Sequence, residues 1–247
     1  MGKYGKWIGG GLGWVLGGPI GALLGFAFGS VVDGMQSGTY AAQNSGSGTH
    51  PGPTSGGDFA VSLVVLSAAI MKADGKVVKS ELDYVKSFFI KQFGINKSEQ
   101  YILLLRDILQ QEINLYEVCA QVRTNMDYSG RLQLLHYLFG IALSDGAGHQ
   151  KEIDAIEIAA QYLGISAAEF RSLKAMFVKD ATSAYKILEI EPTASDDEVK
   201  KAYRKMAVKY HPDKVSHLGE EVQHAAKEKF QQLNQAYESI KKERGLV

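Results

Sequence analysis

Sixteen residues near the C-terminal end read VKKAYRKMAVKYHPDK and span Val199–Lys214. Apolar residues recur at three- and four-residue spacing through the first part, which predicts an amphipathic helix. Pro212 has no backbone N–H and pushes the residue before it out of the helical region, so the helix is expected to end at about Tyr210. His211, Pro212 and Asp213 are therefore predicted to form a fixed polar turn at the end of a basic helix.

Cationic residues surround most of this helix. Lys200 and Arg204 share one side with His211, whereas the far side contains Lys201, Lys205 and Lys209. The ordinary interpretation of such a helix is a solvated surface supported by i,i+4 contacts. After the turn, apolar residues again recur at helical spacing, which predicts a second helix packed antiparallel on the first: Phe230, Leu233, Tyr237 and Ile240.

Residues 183–247 as a whole resemble a J-domain. The resemblance rests on the basic helix, the His-Pro-Asp turn and three short motifs: Tyr185 with Leu188, Lys229-Phe230, and Ala236-Tyr237-Glu238. J-domains are helical modules that stimulate ATP hydrolysis by DnaK-type chaperones and perform no chemistry themselves. The resemblance implies a DnaK-binding site made of His211, Pro212 and Asp213, with further contacts from Lys200, Tyr203 and Arg204.

The N-terminal stretch 7–32 contains no charged residue and is long enough, at about 1.5 Å per residue, to span a bilayer as a helix. Glycine recurs there at every fourth position, the GxxxG spacing that lets membrane helices approach closely. This pattern predicts a homodimer through Gly9, Gly13, Gly17, Gly21, Gly25 and Gly29. A cleaved signal peptide and a soluble glycine-rich tail are the two alternatives.

Residues 33–58 are rich in Gly, Ser, Thr, Pro, Gln and Asn and are predicted to be a flexible linker. From residue 59 to residue 178 apolar residues return at helical spacing, which predicts six or seven helices. The predicted fold is therefore all-α, with a transmembrane helix, a helical middle domain and a C-terminal helical hairpin.

An internal repeat divides the middle domain into two halves. Ala73-Asp74-Gly75 with Glu81 recurs as Ser144-Asp145-Gly146 with Glu152, and Phe93-Gly94-Ile95 recurs as Leu163-Gly164-Ile165. The Asp-Gly-x5-Glu pattern matches the second half of a calcium loop but lacks the first half. A tight turn followed by a helix start explains the same residues without a metal. The candidate ligands for a divalent metal are Asp74, Glu81, Asp145 and Glu152.

The repeated Asp-Gly-x5-Glu pattern in an all-helical domain, with the approach from Tyr128 to Gly146, resembles the TerB-like fold. That family is associated with tellurite resistance and has been linked to metal binding and membrane stress complexes. The resemblance implies a fold more directly than an activity.

Composition excludes several function classes. The 27 basic and 27 acidic residues balance, and no nucleic-acid partner is expected because no basic patch extends beyond one short helix. The single cysteine, Cys119, excludes a disulfide framework and is expected to be a buried apolar residue. No nucleophile with a base and no phosphate loop is recognisable, so the chain is not expected to be an enzyme and needs no cofactor beyond the candidate metal.

The order of parts resembles the membrane-anchored DnaJ-like co-chaperones. This resemblance implies a single-pass protein of the bacterial inner membrane, with its J-domain in the cytoplasm, where ATP and a DnaK-type chaperone are found. Lys3 and Lys6 favour the opposite orientation, because positive residues usually stay inside. An alternative function is a metal or stress-response protein of the tellurite-resistance type, in which the J-domain is an accessory recruiter.

Overall fold

The computed structural model describes residues 18–25, 56–146, 148–177, 182–218 and 220–245. All regular secondary structure within these residues is helical, which confirms the predicted all-α class. The middle domain contains α1 (Gly56–Met71), α2 (Lys79–Leu109), α3 (Leu115–Asn125), α4 (Tyr128–Ala142), α5 (Gln150–Tyr162) and α6 (Ala167–Phe177). The C-terminal part contains α7 (Ser183–Ile187), α8 (Asp196–Lys209), a 3₁₀ helix (Pro212–Leu218) and α9 (Glu220–Arg244).

Helices α1 and α4 form the centre of the middle domain because apolar residues surround most of each helix. Leu63, Leu66 and Ile70 of α1 are fully buried, as are Leu135 and Phe139 of α4. Both helices pack against each other, and α2 covers α1. Cys119 is buried in α3 as a free thiol, and burial raises its pKa to about 12.

The two copies of the internal repeat have the same backbone geometry at their glycines. Gly75 and Gly146 have φ angles of 87° and 80°, and Gly94 and Gly164 have φ angles of 76° and 73°. These left-handed conformations are readily available only to glycine. Because Gly94 lies inside α2, that helix is bent there, so its two parts correspond to the helix, turn and helix of the second copy.

The hairpin of α8 and α9 is closed at two places. Near its middle, the Tyr203 ring stacks on the Tyr237 ring with centroids 4.1 Å apart. At the far end, the Arg244 guanidinium donates to the Pro192 and Ala194 carbonyl oxygens and contacts Asp196 at 3.1 Å. The end of α9 is thus tied to the start of α8.

Only part of the N-terminal predictions falls within the described residues. Residues 18–25 form a short helix that includes Gly21 and Gly25, whereas Gly9, Gly13, Gly17 and Gly29 lie outside the described residues. The Ile20 N–H donates to Gln121 Oε1 at 2.8 Å, so this short helix contacts α3. None of the described helices is both long enough and apolar enough to cross a membrane. Helix α1 begins at Gly56, within the stretch predicted as the linker.

Candidate functional site

The basic helix α8 starts at a capping box. Ser195 Oγ accepts from the Glu198 N–H at 3.4 Å, and Glu198 Oε2 accepts from the Ser195 N–H at 2.7 Å. These hydrogen bonds from Ser195 lower the pKa of Glu198. Asp196 and Asp197 add negative charge in the first turn, where the helix dipole is positive. The start of the helix is therefore fixed by residues that the sequence alone identifies.

The end of α8 is fixed by Pro212, as predicted. The helix ends at Lys209, and the Tyr210 N–H still donates to the Met206 carbonyl as the C-cap. The chain then turns at His211 and continues into the 3₁₀ helix that begins at the buried Pro212. The Lys214 N–H donates to the His211 carbonyl at 3.0 Å, which closes the turn.

His211 and Asp213 lie on the surface of this turn and contact each other. The Asp213 N–H donates to His211 Nδ1 at 3.3 Å, and Nδ1 lies 3.5 Å from Asp213 Oδ2. The side chain of Asp213 is 77% exposed and that of His211 is 50% exposed. An imidazole and a carboxylate are thus presented together to a partner by a short, closed turn.

Helix α9 supports the turn from one side. The Phe230 ring packs edge-on against the His211 ring, with centroids 5.7 Å apart. Gln223 Nε2 donates to Asp213 Oδ1 at 3.4 Å. One apolar and one polar residue of α9 therefore orient the two exposed side chains of the turn.

The other three predicted contact residues lie on the same side of α8 as the turn or at its edge. Lys200 and Arg204 are exposed, and within the described part of the chain neither forms an ion pair. Tyr203 is half-buried, and its hydroxyl lies 3.0 Å from Asn234 Oδ1. We call the surface formed by Lys200, Tyr203, Arg204, His211 and Asp213 the front of α8.

The sequence did not identify the residues that contact the opposite side of α8. Lys209 lies there between two carboxylates, Glu169 of α6 and Glu189 of the loop after α7. Local patterns recognise Glu169 only as part of a capping box with Ser166, which the structure contains. Its contact with Lys209 joins residues far apart in the chain, so helix periodicity gives no sign of it.

The four candidate metal ligands are brought together by the internal repeat. Glu81 and Glu152 are buried, and Oε1 of each carboxyl group has no hydrogen-bond partner among the described residues. Burial raises the pKa of Glu152 to about 8, and the neighbouring Glu81 carboxyl contributes, followed by the charges of Asp74 and Asp145. The raised pKa favours the protonated, uncharged form of Glu152.

Three of the four acidic residues also have a local structural role. Asp74 Oδ1 accepts from the Lys76 N–H at 2.8 Å, and Asp145 Oδ1 accepts from the Gly148 N–H at 3.1 Å. Glu81 Oε2 accepts from the Val78 N–H at 2.9 Å at the start of α2. Among the described residues, no group of three or more His, Cys, Asp or Glu side chains is arranged to hold a metal ion.

Comparison with protein-family models divides the chain into three parts. Residues 1–46 match the co-chaperone DjlA transmembrane domain, residues 60–175 match the tellurite resistance protein TerB, and residues 183–245 match the DnaJ domain. These matches agree with the resemblances to TerB-like proteins and J-domains inferred from short motifs.

Individual relatives match most of the chain or its C-terminal part. The chain is 27% identical over 251 residues to the co-chaperone protein DjlA of Vibrio cholerae serotype O1, covering 86% of this chain and 85% of the relative. It is 29% identical over 206 residues to DjlA of Photobacterium profundum, covering 70% and 73%. The chaperone protein DnaJ of Fusobacterium nucleatum is 46% identical over 56 residues, 23% of this chain and 14% of that protein. No solved structure matches the chain.

Proposed function

We propose, on the basis that the chain is a DjlA-like J-domain co-chaperone, that it recruits a DnaK-type chaperone to a membrane and stimulates its ATPase through His211, Pro212 and Asp213. The observation that carries this proposal is the exposed pair of His211 and Asp213, held by a closed turn next to the unpaired cations Lys200 and Arg204. The chain itself carries out no chemistry in this proposal.

The front of α8 supports binding to an acidic surface. Its two exposed cations have no carboxylate partner within the described residues, so their charge is available to another protein. Opposite charges on two surfaces increase the rate at which they meet, and salt screens this attraction. The buried Pro212 and the Phe230 ring hold the turn in place, so little ordering is required on binding.

The experiment compares three full-length proteins in lipid nanodiscs: the unsubstituted chain, His211→Gln and His224→Gln. His224 is an exposed histidine of α9 outside the front of α8, so it is a matched control. We expect His211→Gln to reduce single-turnover ATP hydrolysis by DnaK about 30-fold, the effect of losing ~2 kcal/mol at a central contact. His224→Gln should stimulate hydrolysis like the unsubstituted chain. Equal stimulation by His211→Gln and His224→Gln would contradict the proposal.

We also propose a single-pass arrangement in the bacterial inner membrane with the J-domain in the cytoplasm. The support is the match of residues 1–46 to the DjlA transmembrane domain and the requirement of a DnaK-type chaperone for ATP. Protease treatment of inverted and right-side-out vesicles tests the orientation. Cleavage of the J-domain in inverted vesicles only is the expected result, and cleavage in right-side-out vesicles only would contradict it.

A homodimer through the glycine repeat is a separate proposal, supported by the spacing of Gly9, Gly13, Gly17, Gly21, Gly25 and Gly29. Energy transfer between labelled copies in a bilayer measures the association. Gly21→Leu should reduce energy transfer because the two backbones can no longer approach closely, whereas Ala22→Leu, which lies outside the repeat, should not. An equal effect of both substitutions would remove the glycine repeat from the interface.

Metal sensing by the TerB-like domain is a second candidate function, because the repeat brings Glu81 and Glu152 into contact and places Asp74 and Asp145 near them. A divalent cation would displace the proton that the raised pKa of Glu152 retains. Calorimetry with calcium, zinc and magnesium tests this hypothesis on the unsubstituted chain and on Glu81→Gln with Glu152→Gln. Heat that is the same for both proteins, or absent from both, would eliminate metal binding at these residues.

A further inference from the structure

The side of α8 opposite the front is joined to the TerB-like domain by an ionic contact. Lys209 Nζ contacts Glu169 Oε1 of α6 and lies 2.9 Å from Glu189 Oε1. The three side chains are 18%, 8% and 11% exposed, so water screens these contacts only weakly. One ammonium group therefore bridges a carboxylate of the TerB-like domain and a carboxylate of the J-domain. We call Glu169, Lys209 and Glu189 the clamp.

Hydrogen bonds from residues of the TerB-like domain hold the Glu169 carboxylate in place independently of Lys209. Its Oε2 accepts from the Ser166 N–H at 2.8 Å and from the Ser166 hydroxyl at 2.6 Å, and its Oε1 accepts from the Tyr128 hydroxyl. Burial alone would raise the pKa of Glu169, but hydrogen bonds from Lys209, Ser166 and Tyr128 lower it to about 2. The carboxylate is thus a fixed negative charge on the surface that faces the J-domain.

Glu189 has an unusual backbone conformation that places its carboxylate at the clamp. Its φ angle is 58°, and among the described residues it is the single non-glycine residue with a positive φ angle. A left-handed conformation costs a residue with a side chain about 1–2 kcal/mol relative to its normal regions. Two backbone hydrogen bonds at the end of α7 compensate for this cost, from the Ile190 N–H to the Tyr185 carbonyl at 3.1 Å and from the Glu189 N–H to the Lys186 carbonyl at 3.0 Å. The Lys209 ammonium is the charged contact of the Glu189 side chain.

Other contacts between the two domains surround the clamp. The Ser172 hydroxyl of α6 donates to the Ile187 carbonyl of α7 at 2.8 Å, and both residues are buried. On the other side, His217 Nε2 of the 3₁₀ helix lies 3.6 Å from Asp127 Oδ2 at the start of α4. A β-carbon on Gly130 would lie 3.2 Å from Leu218 Cδ1, so α4 and the 3₁₀ helix approach closely.

We infer that Glu169, Lys209 and Glu189 are positioning residues that fix the J-domain to the TerB-like domain in one orientation, with the front of α8 facing away. The two domains then move as one rigid unit on the membrane tether. The clamp also pairs Lys209 with two carboxylates, whereas Lys200 and Arg204 on the front have no such partner among the described residues. The use of the front by an acidic partner rests on the proposed function, whereas the rigid docking does not.

The experiment measures hydrogen exchange of α8 and α9 backbone amides in the full-length protein in nanodiscs. Lys209→Met leaves Glu169 and Glu189 without their cation, and we expect amide exchange on the sides of α8 and α9 that face the TerB-like domain to become about tenfold faster. Lys201→Met is the matched control, because Lys201 is an exposed cation of the same helix with no ion-pair partner among the described residues. It should leave exchange unchanged.

Three further variants make the result decisive. Glu169→Gln should also accelerate amide exchange. The acceleration in the double variant Glu169→Gln with Lys209→Met should be smaller than the sum of the two single effects, since both substitutions remove the same contact. His211→Gln should leave exchange unchanged while it abolishes ATPase stimulation, so failure of the proposed function is distinguishable from failure of the clamp. Equal exchange in Lys209→Met and Lys201→Met, or strictly additive effects, would overturn the inference.

Discussion

The two cationic sides of α8 contain the same residue types and have different surroundings. On the front, Lys200 and Arg204 are exposed and unpaired within the described residues, and they lie beside the turn that presents His211 and Asp213. On the opposite side, Lys209 is enclosed between Glu169 and Glu189. One helix thus has an exposed cationic side and a side that attaches it to the neighbouring domain.

This difference shows that the role of a lysine in this chain depends on its burial and on the side chains packed around it. Lys229 extends the point, because it lies fully buried in α9 and its Nζ atom has no hydrogen-bond partner in the described structure. Burial, with a smaller contribution from the charge of Lys209, lowers its pKa well below the ordinary value. The face of the Tyr210 ring, 4.6 Å from Nζ, is its main electrostatic contact.

The largest expected effect concerns the front. Lys200→Glu with Arg204→Glu should weaken binding to a DnaK-type chaperone about 100-fold at low salt, or ~2.7 kcal/mol, because attraction to an acidic surface becomes repulsion. Thermal stability should remain within ~0.5 kcal/mol of the unsubstituted chain, because both side chains are exposed. Surface plasmon resonance over a salt series measures the affinity, with Lys201→Glu as control. Unchanged affinity and salt dependence would remove the front from the binding surface.

The clamp predicts a pH dependence at Glu169. The pKa of Glu169 is lowered to about 2 in the folded protein from its ordinary 4.5, so the folded state binds fewer protons than the unfolded state. Its stabilising contribution is present above pH 4.5 and is lost as the pH falls toward 2, on the order of 2 kcal/mol. Urea unfolding from pH 6 to pH 2.5 should show this loss in the unsubstituted chain. Glu169→Gln should lack it, while the exposed Glu99→Gln should retain it. Parallel pH profiles for all three proteins would contradict the assignment.

Lys229→Met should stabilise the protein by about 1–2 kcal/mol, because it replaces a buried amino group, whose Nζ atom has no hydrogen-bond partner among the described residues, with an apolar side chain of similar length. Chemical unfolding measures the change, and ATPase stimulation should be unaffected because Lys229 lies behind the front. Lys227→Met, at an exposed position of the same helix, should leave stability unchanged. A loss of stability in Lys229→Met would mean that this amine has a partner in solution.

The smallest expected effect is at Tyr203, which lies at the edge of the front. Tyr203→Phe removes the hydrogen bond to Asn234 and keeps the stack on Tyr237, so it should cost about 0.5–1.5 kcal/mol of stability. ATPase stimulation should largely persist if the ring, rather than the hydroxyl, forms the surface. Tyr116→Phe, at an exposed tyrosine of α3, is the control. Complete loss of stimulation in Tyr203→Phe would assign the hydroxyl to the partner.

Prediction from the sequence succeeded where the cause is local. Pro212 ends α8 at the expected place, and the repeated glycines occupy the same left-handed conformation in both halves. The sequence did not show that a helix begins at Gly56, because tertiary packing rather than local composition stabilises such a start. It also gave no sign of the contact between Glu169 and Lys209, which lie in different domains.

Local physical chemistry is sufficient to define the all-α class, the His-Pro-Asp turn and the side of α8 that contains Lys200 and Arg204. Steric limits at proline and glycine, capping hydrogen bonds and helical periodicity act over a few residues, so they can be read directly from the chain. The role of Lys209 and the burial of Lys229 arise only when two domains pack together. Those features depend on charges and surfaces that meet in space, where pairing and loss of water change the energy of a side chain.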